Sequence, residues 1–311
     1  YEIASCLVGS EMCIRDSEYS LLVIIHGTGC AIEEYIKQAK ELADKYHMAV
    51  LAPMFPGGLI QRDDFNSYKL LSCDGIRYDL ILLDMIEDMA KRYPGVHTDQ
   101  FFMFGHSGGG QFVNRFLLAH PDCLKACSIG APGRPTFLNP DEDYFWGIRD
   151  FKDYFGYDVD LEAVKKVPVL ISVGELDNKF IGDSPYGDNR VARMKSLQKN
   201  FQEHGVHTEL TILPGFAHEA GEKERVQAAQ KFFIQIYNSN YSFLNFLSLY
   251  PLFKRGYIAY FLLFLHTCVL LADYESKQNF YSTESTILHW KLPFDESNRM
   301  LIPDEVSPQG A

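Results

Sequence analysis

Ser107, Asp177 and His218 are the three residues on which chemistry can be built, and their order along the chain makes them a set. A serine hydroxyl is a poor nucleophile until a base takes its proton, and a histidine base needs a carboxylate to orient it. Ser107 sits in Gly105-His106-Ser107-Gly108-Gly109-Gly110, with an apolar run, Phe101 to Phe104, leading in and a helical pattern, Gln111 to His120, leading out. A strand, a sharp turn and a helix in that order force the serine into a strained backbone with its hydroxyl pointing away from the sheet, which only very small neighbours permit. Gly105 and Gly109 flank Ser107 at the required spacing. The bare G-x-S-x-G spacing is a weak signal, and its strand-to-helix context carries the weight; the competing reading is a glycine turn that merely packs a helix on a sheet.

The acid and the base follow from the same geometry. If Ser107 ends one strand, the carboxylate should end a later strand and the histidine should follow the last. Val169 to Val173 is an apolar run followed by Gly174-Glu175-Leu176-Asp177, and Ile212-Leu213-Pro214-Gly215-Phe216-Ala217-His218 repeats that relation for the histidine. Glu175 and Asp183 compete with Asp177 for the acid's role, and Asp177 or His218 could instead be a capping or solvated loop residue. His47, His97, His106, His120, His204 and His207 do not fall where the order requires. His26-Gly27-Thr28-Gly29 ends the first apolar run in a tight turn that can aim backbone N–H groups at a developing oxyanion. The expected donors are the amides of Gly108 and Thr28, with Gly29 as the alternative to Thr28.

The elements that must position these residues are legible in the periodicity. Leu21 to Ile25 and Ala49 to Phe55 read as buried strands, and Ile32, Tyr35, Ile36, Ala39, Leu42, Ala43 and Tyr46 form one helical stripe between them. Asp74 is placed to cap a long helix with Ile76, Leu80, Leu83, Ile86, Met89 and Ala90 on its face, after a long polar connection from Leu59 to Cys73. Beyond the Ser107 helix, Ala126 to Ile129, Val169 to Val173 and Glu209 to Leu213 read as strands, with helices over Asn189 to His204 and Glu219 to Tyr237. Continuous apolar strands alternating with helices specify an α/β fold: a mostly parallel sheet covered by helices on both faces. The segment Ala131 to Asp160 carries eight irregularly spaced aromatics and reads as a small cap insertion, in which Phe145 and Trp146 are candidate substrate-binding residues; the alternative is that these rings pack the cap onto the body.

Composition bounds the rest. The chain has 311 residues, is 47% hydrophobic and carries a formal charge of −12, which repels phosphate backbones and argues against a nucleic-acid partner. Seven cysteines without a C-x-x-C pair point to free thiols; Cys123 and Cys127 stand four apart, but no accompanying His or Cys group makes them a metal site. Residues 1–17 lack a basic region followed by an apolar core and resemble a translated sequencing linker, so a missing true amino terminus and a cytoplasmic location are the expectations. The domain organisation expected is this extension, a domain over 18–240 with its cap insertion at about 131–160, and a tail over 241–311 whose origin the sequence leaves open. Tyr257 to Leu271 in that tail is too short to span a bilayer, so a membrane partner is not expected.

On His26-Gly27-Thr28-Gly29, Gly105-His106-Ser107-Gly108-Gly109, Asp177 and His218, the stretch from Ser20 to about Tyr237 resembles the α/β-hydrolases. More narrowly it is similar to their esterase, polyhydroxyalkanoate-depolymerase-like and dienelactone-hydrolase-like branches, with serine in place of the cysteine nucleophile of the last. The resemblance implies an α/β-hydrolase fold and a serine hydrolase that cleaves small-molecule carboxylic esters through an acyl-serine intermediate, with no cofactor and no metal. A serine peptidase of the same fold and a non-catalytic binding protein built on it are the alternatives. The family opens with an antiparallel hairpin, and residues 1–17 stand where it belongs.

Overall fold

Runs of apolar residues with no polar interruption can only be buried on both faces, and in this chain they become the interior strands of one sheet. The computed structural model describes residues 6–8, 18–58, 64–253 and 287–289. In chain order the elements are β1 (Cys6–Val8), β2 (Tyr19–Ile25), α1 (Ile32–Lys45), β3 (Met48–Leu51), β4 (Ser72–Cys73), β5 (Ile76–Arg77), α2 (Tyr78–Arg92), β6 (Val96–His106), α3 (Gly108–Ala119) and β7 (Leu124–Gly130). There follow α4 (Phe151–Phe155), α5 (Leu161–Val164), β8 (Val169–Gly174), α6 (Arg190–Glu203), β9 (Thr208–Leu213), α7 (Glu222–Phe253) and β10 (Ile287–His289).

Eight strands form the main sheet in the order β10-β1-β3-β2-β6-β7-β8-β9. From β3 to β9 every pairing is parallel, whereas β1 runs antiparallel to both β3 and β10. A short antiparallel strand from the linker-like segment thus occupies the place of the expected hairpin. Every residue of β2, β3 and β8 is buried, while β9, with a neighbour on one side only, is buried chiefly at its two ends. Contact clustering divides the chain into residues 1–230 with 286–311, which contain the whole sheet, and residues 231–285. Among the described residues no helix is long and apolar enough to cross a membrane, and Tyr257 to Leu271 lies outside them.

Two expected elements differ: the last helix, expected over Glu219 to Tyr237, runs from Glu222 to Phe253, and the helix expected to start at Asp74 starts later. Asp74 caps nothing: with Gly75 it forms the turn of the β4–β5 hairpin, both residues taking positive φ (49° and 81°), the two-residue turn that Asp-Gly favours. The helix begins four residues later at Tyr78, and its buried face is Tyr78, Leu82, Met85, Ile86 and Met89, which leaves Leu80 exposed. The connection before it is also not structureless, since Ser67–Leu70 form a 3₁₀ turn whose Tyr68 enters the core.

Candidate active site

The turn after β6 is built from steric constraint. Ser107 adopts φ 57°, ψ −113°, a conformation that a residue with a side chain holds only when its surroundings fix it. Those surroundings are backbone: the Ser107 amide donates to the Gly130 carbonyl at the end of β7 (2.7 Å), and its carbonyl accepts from Gln111 one turn into α3 (3.1 Å). A Cβ on Gly105 would collide with the Gly109 carbonyl, and one on Gly109 with the Ile25 carbonyl, so both glycines permit α3 to lie against the strand ends.

Three strand ends converge on this turn. The Nε2 of His218 lies 2.9 Å from Ser107 Oγ, and its Nδ1 lies 2.6 Å from Asp177 Oδ2. Because ionised Asp177 only accepts, Nδ1 carries the proton and Nε2 faces the hydroxyl as an acceptor. Asp177 is only 2% exposed, and Arg190 Nη1 donates to its other oxygen at 3.3 Å. The rivals for the acid's place go elsewhere. Glu175 Oε2 accepts from the Gly215 amide (2.9 Å) in the loop before His218, and Asp183 is an exposed residue on the rim of another cavity.

The loop that carries His218 is anchored from below. Buried Arg225 donates from Nη2 to the carbonyls of Ala217 (2.8 Å) and His218 (2.7 Å), and His106 Nε2 donates to the His218 carbonyl at 3.2 Å. Burial and the nearby Arg225 charge push His106 well below the usual histidine range, which keeps its ring neutral beside that of His218, 4.8 Å away.

The first turn, His26 to Gly29, is fixed by its histidine. Fully buried His26 donates from Nδ1 to the Gly27 carbonyl (2.7 Å) and accepts at Nε2 from the Phe55 amide (2.9 Å), and burial holds its pKa below the ordinary value. The Tyr68 hydroxyl donates to the His26 carbonyl at 3.0 Å. A Cβ on Gly108 would lie 3.1 Å from the Thr28 nitrogen, so the backbones of Thr28 and Gly108 approach closely beside Ser107.

Ser107 and His218 open into a cavity of about 400 Å³ with Thr28, Gly29, Arg190 and Arg225 in its wall and Glu34, Glu219 and Glu222 toward its edge. Neither Phe145 nor Trp146 lines it. Phe145 faces the neighbouring cavity with Lys69, and Trp146 a third beyond that. Of the other cap aromatics, Phe137, Tyr144, Phe151 and Phe155 are buried in the main core, as the packing alternative requires, and Tyr154 and Tyr157 are exposed. Sequence reading missed Tyr68, Arg190 and Arg225. Only Arg190 had a signal: Asn189 caps α6 by accepting from the Ala192 amide (2.9 Å), which fixes Arg190 as the first helical residue.

Among the described residues no cluster of three or more His, Cys, Asp or Glu could hold a metal ion. Cys30, Cys73, Cys123 and Cys127 are free thiols, and burial pushes Cys123 and Cys127 up, away from the thiolate that a metal or an electrophile would need.

No family model matches the chain, and neither does any curated protein. Solved structures do. LpqC, a poly(3-hydroxybutyrate) depolymerase from Bordetella parapertussis, is 19% identical over 70% of this chain and 79% of its own, with a TM-score of 0.57. Poly(aspartic acid) hydrolase-1 from Sphingomonas sp. KT-1 is 21% identical over 69% and 88%, with a TM-score of 0.54, and esterase PE8 is 16% identical over 76% and 100%, with a TM-score of 0.52. With six parallel strands in this order and these neighbours in structure, the chain has the α/β-hydrolase fold.

Proposed function

We propose that the protein is a serine hydrolase that cleaves carboxylic esters through an acyl-Ser107 intermediate. The observation that carries the reading is the continuous relay from Asp177 through His218 to Ser107, at 2.6 and 2.9 Å, with the serine on a strained turn that exposes its hydroxyl. In the first half-reaction Ser107 Oγ attacks the ester carbonyl carbon while its proton passes to His218 Nε2. Asp177 stabilises the imidazolium so formed. The carbonyl oxygen takes up the negative charge and accepts hydrogen bonds from the Thr28 and Gly108 amides, a reading that the close approach of these two backbones supports. Collapse of the tetrahedral intermediate breaks the bond to the alcohol, and His218 returns its proton to the departing alkoxide. Water then attacks the acyl-serine, giving its proton to His218 and restoring the Ser107 hydroxyl as the acid leaves.

The similarity in fold to an esterase and a polyester depolymerase agrees with this chemistry, while that to a poly(aspartic acid) hydrolase, whose polymer is joined by amide bonds, agrees as well with the peptidase alternative. A fluorophosphonate probe followed by peptide mapping tests the nucleophile, and a panel of 4-nitrophenyl esters set against matched anilides tests the bond cleaved. The expected result is labelling at Ser107 and turnover of esters well above anilides. An unlabelled protein would leave only the binding-protein alternative, and faster anilide cleavage would favour the peptidase.

A further inference from the structure

The cavity beside the nucleophile is cationic in a protein of charge −12. It measures about 420 Å³, and Lys69, Arg134, Arg190 and Arg193 line it with no Asp or Glu among the described residues of its wall. It adjoins the reacting atoms on three sides. Gln111 in its wall is bonded through its amide to the Ser107 carbonyl, a Cβ on Gly108 would meet Lys69 Cε at 2.7 Å, and Arg190 lines both this cavity and the one that holds Ser107.

We propose that this cavity is a subsite for a carboxylate, so that the substrate is an ester carrying a second, negatively charged carboxylate group. The inference rests on the serine-hydrolase reading for the reaction but not for the binding. Among the described residues, Arg190 alone of the four cations has a carboxylate within ion-pair reach, Asp177, and its buried Nε has no partner. Lys69 bonds to the Asn66 amide oxygen, and Arg193 donates to the carbonyls of Gly133, Gly182 and Gly187, so their charges are held in place without being neutralised. Exposed Arg134 makes no side-chain hydrogen bond among the described residues and lies over the Phe145 ring, as Arg193 lies over Trp146 at 5.1 Å. The guanidiniums of Arg134 and Arg193 thus lie against cap aromatics; the nitrogens of Arg193 are spent on backbone carbonyls, and Arg134 is the one whose side-chain donors are uncommitted among the described residues and can meet an oxyanion.

Burial and the charge of Arg115, outside the wall, bring Lys69 down to about 8, with Asp64 acting the other way. Within the set of four cations Arg193 is disfavoured by its neighbours: burial, then the Arg134 and Arg190 charges, lower it against an opposing effect of Asp188. A bound carboxylate relieves that repulsion, which is the energetic reason for the site to discriminate in its favour.

The test compares neutral 4-nitrophenyl butyrate with mono-4-nitrophenyl glutarate, which carries the carboxylate on the acyl part, and phenyl butyrate with 4-butyryloxybenzoate, which carries it on the alcohol part. At least one anionic ester should exceed its neutral counterpart in kcat/KM by about tenfold, the discrimination expected of one charge-assisted contact. Arg134→Gln should reduce that ratio severalfold, Arg134→Lys should restore part of it, and the arm that responds locates the subsite on the acyl or the alcohol side. Binding of free glutarate to the Ser107→Ala protein, measured by calorimetry, is the readout independent of turnover. Ester cleavage with no anionic preference in either arm and no glutarate binding overturns the subsite and leaves the hydrolase reading standing. Glutarate binding that Arg134→Gln weakens, without turnover of any ester, supports the subsite and overturns the hydrolase reading instead.

Discussion

Among the described residues stand two arginine–aspartate–histidine arrangements of the same composition, each built on a buried carboxylate. In one, Arg190, Asp177 and His218 meet at the ends of the strands; in the other, Arg77, Asp79 and His120 lie where α2 packs beside the end of α3. The His–Asp distances are 2.6 and 2.7 Å, and both carboxylates are buried. The arginines differ. Arg77 grips Asp79 with two bonds, 2.9 and 2.6 Å, whereas Arg190 touches Asp177 through one at 3.3 Å. The histidines differ more: His218 presents its second nitrogen to Ser107, while the His120 ring lies tilted at 44° against Phe116, 4.9 Å between centroids, with no side chain bonded to its other nitrogen among the described residues. A His–Asp pair with a buried carboxylate is therefore common to both, and what separates the proposed relay from a brace is the group that stands beyond the histidine.

Changes at the relay should break that comparison most sharply. Ser107→Ala removes the group beyond His218, and esterase kcat should fall on the order of 10⁵-fold with an unchanged far-UV spectrum. Asp177→Asn keeps the shape of the acid but favours the wrong imidazole tautomer, and kcat should fall on the order of 10⁴-fold. Glu175→Gln, whose carboxylate only holds the Gly215 amide, should stay within about threefold of the parent, an allowance for one exposed neutral contact. A larger loss at Glu175 than at Asp177 would reassign the acid.

How far the sequence reaches is seen in the same two arrangements. Ser107 and Asp177 were legible because each follows a buried, largely apolar strand, and His218 because it follows the last strand, Thr208–Leu213, in the order Ser, Asp, His; in a parallel sheet successive strand ends share one edge. The relay is thus a consequence of topology that periodicity reveals. The Arg77–Asp79–His120 brace was not legible, since it joins a hairpin end to a residue forty positions on, across two helices whose packing no local pattern specifies. The helix start was misplaced for a related reason: Asp74 suits both a cap and an Asp-Gly hairpin, and the positive φ of both turn residues decided for the hairpin. Phe145 and Trp146 were chosen for apolar surface, but the guanidiniums laid on their rings come from α3, α6 and the strand end after β7, contacts that arise only in the folded chain.

The brace should fail in the opposite way from the relay. Asp79→Asn leaves Arg77 and His120 facing a neutral amide in a site with no exposure on the carboxylate side, and breaking a buried pair of this kind costs about 3 kcal/mol. Stability measured by urea unfolding should drop by that amount, while kcat per folded molecule should stay near that of the parent. A kcat loss comparable to that of Asp177→Asn would show that the two arrangements are not separable.

The smallest effect expected is on the acid limb of stability. Burial tends to raise the Asp79 carboxyl, but its hydrogen bonds from Arg77 and His120 outweigh burial and hold it below the ordinary carboxylate range. A carboxyl whose folded pKa lies below its unfolded value releases its proton more readily in the folded state, so it contributes stability above about pH 4, where the unfolded carboxyl is ionised. That contribution fades as the pH falls through the folded value and the carboxylate is protonated. The parent should therefore lose unfolding free energy more steeply than Asp79→Asn as the pH is lowered from about 5 to 2, and the two curves should converge at the acid end. Parallel curves across that window would mean that the Arg77 bonds do not favour the charged form of Asp79, and that the brace acts through shape alone.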